Sequence, residues 1–127
     1  MSRRAVIVLV ASIAVIGLFA AGLAWLLQEP QPPRGAPRPE RLYYAFCSVC
    51  HGVDGRGSWR AALFLLRPGD LSDGKRMSQY PDQSMFDIIK HGGAPIGKPG
   101  MPGFRFHFSD ADVQSLVAYV RSLSGTR

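Results

Sequence analysis

The stretch Cys47-Ser48-Val49-Cys50-His51 has the spacing C-x-x-C-H, and the interpretation of the whole chain starts from it. This pattern is the attachment signature for c-type haem. Two thiols three positions apart on a helical turn can each add to one vinyl group of the same porphyrin, and the adjacent histidine supplies a nitrogen ligand to the iron. The motif therefore predicts one covalently attached haem c, held through Cys47 and Cys50, with His51 as an iron ligand.

Three other interpretations of the motif compete with haem attachment, and the apolar N-terminal segment typical of exported proteins disfavours the first, a chance match. A thioredoxin-like redox pair needs a βαβ context, which the sequence lacks. A zinc site would have to recruit His91 and His107, and the long gaps to them do not match the usual C-x2-C…H-x3-5-H spacing. The chain has two cysteines, so none is left for a disulfide or an iron–sulfur site.

The N-terminal part of the chain predicts a membrane anchor. Ala5–Leu27 is uncharged and contains 20 apolar residues among 23. As a helix it would span roughly 34 Å, enough to cross the hydrocarbon core of a bilayer. Arg3 and Arg4 precede it, so the positive-inside bias keeps residues 1–4 in the cytoplasm and carries the remainder across. The alternative is a cleaved signal peptide, whose apolar region is usually only about 7–15 residues long.

Two further segments follow the predicted anchor. Residues 28–39 contain five prolines, which predicts a solvated, semi-rigid linker in the polyproline II conformation. Residues 40–127 form the predicted folded domain, which is small enough to need a bracing group such as a haem. The net charge of +6 is not gathered into a basic run with interleaved aromatic residues, so a nucleic-acid partner is disfavoured.

Over about residues 40–127 the chain resembles the small class I cytochromes c. The resemblance rests on the C-x-x-C-H motif, on residues 41–46 leading into it, on Gly52 after it, and on residues 108–123 near the end. It implies an all-α fold, with about three to five helices around one haem, following the single transmembrane helix. In this family the first and last helices cross. The matching positions here are Leu42, Tyr43, Leu116 and Tyr119.

Local signals predict two of these helices without the resemblance. Ser109 is a plausible N-cap with Asp112 three positions later, and apolar residues then recur at helical spacing. A second helix is predicted over 82–91, with Asp82 as its cap and Gly92 as its stop. Between the motif and this helix, residues 53–80 show no strong period. The apolar run 61–66 in that segment predicts a wall of the haem pocket or a short helix.

The second axial ligand of the iron separates electron transfer from gas binding or catalysis. In residues 92–108 eight of seventeen residues are Gly or Pro, which predicts a loop, and Pro99 and Pro102 stiffen it around Met101. The resembled family places its methionine ligand in such a loop, so Met101 is the expected ligand. The other candidates are Met77, predicted as loop or pocket rim, Met85, predicted as packing, and the histidines His91 and His107.

Further residues are expected at the pocket. Pro68 and Leu71 resemble the family segment whose proline carbonyl orients the haem histidine and whose leucine touches the porphyrin. Such a hydrogen bond fixes the imidazole tautomer. The haem propionates have four candidate partners, among which the sequence does not choose: Arg56, Trp59, Arg60 and Arg67.

These observations predict an electron-transfer protein without catalytic residues of its own. It would pass single electrons between respiratory redox proteins at a bacterial inner membrane, with the haem domain on the periplasmic side. It would act either as a tethered carrier or as the haem c subunit of a membrane oxidoreductase. The alternative from another class is a haem sensor or ligand-binding module, which requires an open or easily displaced sixth iron position.

Overall fold

A computed structural model describes residues 2–125, and its first element is a long apolar helix. Helix α1 spans Arg3–Leu27, and its most apolar window has a mean hydropathy of 2.8 with no buried residue. Ser2 caps it by accepting a hydrogen bond from the backbone N–H of Ala5. The helix is long and apolar enough to cross a membrane, as predicted for Ala5–Leu27.

The remainder of the described chain is also helical, and no strand occurs between residues 2 and 125. The all-α prediction is therefore confirmed. One short 3-10 helix, Ala94–Ile96, lies in the loop that follows the sixth α-helix. The α-helices after α1 are α2 (Arg38–Phe46), α3 (Ser48–His51), α4 (Trp59–Leu63), α5 (Gly74–Met77), α6 (Asp82–His91) and α7 (Asp110–Ser124).

The core lies where α2 and α7 cross, as the resemblance implied. Tyr43 and Leu116 are almost completely buried, and the Tyr43 ring lies 5.2 Å from that of Tyr119. The Tyr43 hydroxyl donates a 2.7 Å hydrogen bond to the carbonyl of Gly52, which follows the C-x-x-C-H motif. The crossing therefore positions the motif directly. The predicted apolar face of α7 is buried at Val113, Leu116, Val117 and Val120.

The start of α7 is capped as its sequence predicts. The Ser109 hydroxyl accepts from the backbone N–H of Asp112, and the Asp112 carboxylate accepts from the backbone N–H of Ser109. The same carboxylate receives two hydrogen bonds from the Arg38 guanidinium, at 2.6 and 3.0 Å. These bonds from Arg38 and Ser109 lower the pKa of Asp112. The first residue of α2 is thus tied to the first turn of α7.

The proline-rich segment is shorter than its composition predicts. Helix α2 begins at Arg38 and contains Pro39, so the non-helical segment covers residues 28–37 instead of 28–39. Proline disfavours the interior of a helix, but its missing N–H costs nothing in the first turn. The end of the segment is also packed, since Ala36 is buried and its carbonyl accepts from the Arg41 guanidinium at 2.6 Å.

The segment before α6 contains a helix that the sequence did not predict, and α6 begins differently. Asp73 caps the single turn of α5, accepting from the backbone N–H groups of two following residues. Helix α6 covers the predicted Asp82–His91, but Pro81 occupies the cap position and Asp82 lies in the first turn. The prediction that Asp82 caps α6 is wrong. Its carboxylate instead accepts from Arg121 of α7 at 2.8 Å.

Candidate functional site

One large apolar cavity lies beside the helix crossing. Its volume is about 530 Å³, within the range of about 300–1,000 Å³ that is usual for small-molecule and cofactor sites. Its walls come from α2, α3, α5, α6 and α7, from residues 65–71, and from residues 96–102 of the loop after α6. The predicted site residues Cys47, Cys50, His51, Pro68, Leu71 and Met101 all line this cavity.

The break between α2 and α3 places the motif on the cavity wall. Cys47 ends α2 and precedes α3, with φ of −112°, and its N–H donates to the Tyr43 carbonyl at 2.8 Å. The Cys47 carbonyl then accepts from the N–H of His51 at 2.9 Å. This single turn brings both thiols and the imidazole to the same cavity.

The surroundings of Cys47 do not favour the competing uses of the motif. Burial, reinforced by the neighbouring Cys50, raises the pKa of the Cys47 thiol to about 12. Redox-active cysteines and zinc ligands need a readily formed thiolate. Within the described residues 2–125, no group of three or more His, Cys, Asp or Glu side chains is placed to hold a metal ion. The thioredoxin-like and zinc interpretations therefore find no support in the geometry.

The His51 imidazole is held neutral and incompletely satisfied. Burial lowers its pKa, and the nearby backbone of Gly69 opposes that effect more weakly. Its Nδ1 atom is buried and has no partner within hydrogen-bond geometry among the described residues. A neutral imidazole beside two thiols, at the wall of an apolar cavity, fits a haem held by a C-x-x-C-H motif.

The hydrogen bond expected from Pro68 is not formed in this structure. The backbone group that influences the imidazole belongs to the next residue, Gly69, and even this group lies outside good hydrogen-bond geometry. Hydrogen bonds weaken steeply once the donor N–H no longer points at the acceptor, so contact with this segment alone does not satisfy the nitrogen. Pro68 and Leu71 reach the site as lining residues.

The loop that carries Met101 is fixed by its own backbone. The Met101 N–H donates to the Lys98 carbonyl at 3.0 Å, and the Met101 carbonyl accepts from the N–H of Gly93 at 3.0 Å. The packing requires glycine, since a Cβ on Gly93 would lie 2.5 Å from the Lys98 oxygen and 3.0 Å from the Met101 Cβ. A Cβ on Gly92, whose φ is +94°, would lie 2.9 Å from the Met101 oxygen.

The other predicted iron ligands divide into two groups. Met77 and Met85 also line the cavity, but both are buried members of the hydrophobic core, whereas Met101 is partly exposed and lies outside that core. Met77 therefore belongs to the core and not to a loop. His91 and His107 are exposed and are not among the residues that line the cavity.

The charged residues near the cavity differ in part from those expected. Of the four propionate candidates, Arg67 lines the cavity, while Arg56 is paired with Asp54 and Arg60 contacts the end of α1. Arg76 and Lys98 also line the cavity and were not predicted. A Cβ on Gly69 would lie 3.4 Å from the Arg76 Nε, which places this guanidinium beside the segment next to His51. No local sequence pattern in residues 53–80 predicts that Arg76 lines the cavity.

Comparison with known proteins identifies the family. Residues 34–120 match the family described as cytochrome c oxidase, cbb3-type, subunit III. The chain belongs to this family. A solved structure named KustC0563 c-type cytochrome is similar in fold, with a TM-score of 0.57 and 25% sequence identity, covering 67% of this chain and 95% of that one.

The family and the structure together establish the class of the molecule. It is a class I c-type cytochrome, and its cofactor is covalently bound haem c. Its general role is electron transfer. The N-terminal apolar helix is consistent with attachment to a membrane.

Proposed function

We propose that this cytochrome is a membrane-tethered electron carrier in which His51 and Met101 would be the two protein ligands of the haem iron. Haem c, when bound, supplies an iron that gains or loses one electron at a time. Cys47 and Cys50 form the covalent attachment, and Pro68 and Leu71 cover the porphyrin. The observation that carries the proposal is that a stiff loop brings Met101 to the same cavity that His51 lines, while His91 and His107 stay outside.

The residues around the cavity explain why such a site would exchange electrons without binding substrate. A thioether held by the 92–103 loop needs little rearrangement when the iron changes its oxidation state, because Lys98 and Gly93 fix the backbone on both sides of Met101. Ligation by methionine and histidine also raises the reduction potential. The mostly apolar lining lowers the polarity around the cofactor site, which tunes its reduction potential.

The proposed topology follows from the N-terminal segments. Helix α1 would remain in the inner membrane with residues 1–4 in the cytoplasm and the haem domain in the periplasm, joined through the linker that ends at Pro37. The Arg60 guanidinium donates to the carbonyls of Leu26 and Gln28, at 2.9 and 2.5 Å. This contact would hold the folded domain close to the end of α1.

Two kinds of redox partner are compatible with this arrangement. The tethered domain could exchange electrons with separate proteins at the same membrane. The family match with an oxidase subunit favours a second role, as the haem c subunit of a membrane oxidoreductase. Purification in mild detergent, followed by identification of the proteins that remain bound, distinguishes a free carrier from a fixed subunit.

Carbon monoxide tests the proposed function directly. In the reduced native protein Met101 should occupy the sixth iron position, so the visible spectrum is expected to stay nearly unchanged when carbon monoxide is added. A haem sensor or gas-binding module would show rapid and complete binding. That result would contradict the electron-carrier proposal, because the sixth iron position would then be open to an added ligand.

The Gly93→Ala variant is expected to displace Met101 from its position although Met101 itself is not replaced. The new methyl group would meet the Lys98 oxygen and the Met101 Cβ, so the loop must shift away from the cavity. We expect a lower midpoint potential and measurable carbon monoxide binding. Gly74→Ala is the matched control, because a Cβ there lies 3.5 Å from its nearest neighbour, an ordinary contact. Equal behaviour of both variants would contradict this account of the loop.

A further inference from the structure

The haem domain carries an exposed apolar segment at the end of the membrane helix. Leu63, Phe64 and Leu65 follow one another at the end of α4 and are 68%, 74% and 91% exposed. Leu65 also adopts φ of +55°, a conformation that is costly for a leucine side chain. Consecutive exposed apolar side chains in a domain this small indicate a surface that is covered by a membrane or by another protein.

The position of this segment is set by Arg60. Its guanidinium donates to the carbonyls of Leu26 and Gln28, which lie in the last turn of α1 and at its C-cap, where the helix leaves its own acceptors unsatisfied. Helix α4 has only five residues and is therefore about 7 Å long. The exposed residues that follow Arg60 therefore lie in the neighbourhood of the end of α1.

The end of α1 coincides with the membrane interface if this helix spans the bilayer. The apolar stretch of α1 is long enough to fill a hydrocarbon core of about 30 Å, so Leu26 and Gln28 lie among the lipid headgroups. Trp25 of α1 and Trp59 of α4 are both exposed. Tryptophan is enriched at this depth, and arginine reaches its charged end toward the headgroups from a partly apolar position.

We propose that the α4 surface, comprising Trp59, Arg60, Leu63 and Phe64, inserts into the lipid headgroup region as a second membrane contact. The inference rests on the proposed tethering by α1 and deepens it. Interfacial segments of this kind bury their apolar side chains about 5–10 Å into the boundary. Since the next residue, Leu65, lines the haem cavity, this contact would hold one rim of the cavity at the bilayer surface and fix the orientation of the domain.

The composition of the surface favours lipid over a protein partner. Its only charged member is Arg60, whose guanidinium is occupied by the α1 carbonyls, so the surface has little charge pattern with which to select a protein. An apolar surface placed beside a membrane helix is covered by the bilayer without any recognition step.

The test is photolabelling of the full-length holoprotein in nanodiscs. The probe is phosphatidylcholine carrying a diazirine near the glycerol end of one acyl chain, mixed with phosphatidylglycerol, and labelled peptides are located by mass spectrometry. We expect labels on α1 and on residues 59–64. Labelling of residues 59–64 should be lost in Leu63→Ser/Phe64→Ser, two positions that do not line the haem cavity. Phe106→Ser, at a residue that is 83% exposed in the loop before α7, should leave it unchanged.

The pattern of labels distinguishes the failure of this inference from the failure of tethering. Label on α1 without label on residues 59–64 would overturn the inference and leave the anchor in place. Slower electron exchange with a membrane redox protein in the serine variant would then assign the surface to protein docking. Absence of label from both segments would overturn the anchor and the second contact together.

Discussion

Replacing Cys47 and Cys50 together by alanine is expected to leave almost no folded, coloured protein. In the proposed site the two thiols would hold the haem that fills the cavity of about 530 Å³. Empty apolar space costs about 24 cal/mol per Å³, so a cavity of this size would cost on the order of 10 kcal/mol. That figure approaches the whole free energy of unfolding of a typical domain, about 5–15 kcal/mol. The measurement is the haem absorbance and the amount of protease-resistant domain in the membrane fraction.

The matched control is Val49→Ala on the same turn, since Val49 lies between the cysteines but does not line the haem cavity. It should retain colour and accumulate nearly as well as the native protein. Recovery of a colourless domain with native helix content from the double cysteine variant would show that the helices fold without the haem, contrary to the argument from cavity cost.

Replacing Met101 by alanine is expected to change the redox chemistry more than any other single substitution that leaves the fold intact. Axial ligands set haem potentials over a range of roughly 0.8 V, and loss of a thioether removes the ligand that favours the reduced iron. We expect the midpoint potential to fall by more than about 100 mV, which is about fiftyfold in a one-electron equilibrium. The reduced variant should also bind carbon monoxide rapidly.

The two other methionines at the cavity provide the controls for this experiment. Met77→Leu and Met85→Leu conserve volume at buried positions, so both should retain nearly native potentials and spectra. If Met77→Leu lowered the potential while Met101→Ala did not, the sixth ligand would lie on α5 and the assignment of the loop would be wrong. Redox titration of the three variants under the same conditions decides between them.

The parts of the fold that the sequence predicts are those determined by neighbouring residues. The capping box at Ser109 and Asp112 and the apolar period after it are local signals, and α7 follows them. The single turn of α5 is different. The Met77 carbonyl at its end is bound by Arg121 at 2.6 Å, from a residue 44 positions away. The local sequence of residues 53–80 gives no sign of this long-range contact, so it does not predict α5.

The residues of the site also fall into those predicted by local sequence and those that depend on long-range packing. The spacing of Cys47, Cys50 and His51 predicts that they share one cavity wall, because a single helical turn carries all three. The composition of its loop, together with the family resemblance, predicts Met101 as the second iron ligand. The contact between His51 and the 67–71 segment depends on how two distant segments pack, and there the Pro68 carbonyl does not take the expected role. The approach of Arg76 to Gly69 was missed for the same reason.

The way the linker joins the domain has a mechanical consequence. The chain enters at the buried Ala36 and at Arg38, which is bonded to the first turn of α7 through Asp112. Any force transmitted through residues 28–37 would therefore reach the domain where α2 and α7 cross. The loop that presents Met101 is not part of this connection, so a force on the linker would leave the geometry of the iron site unchanged.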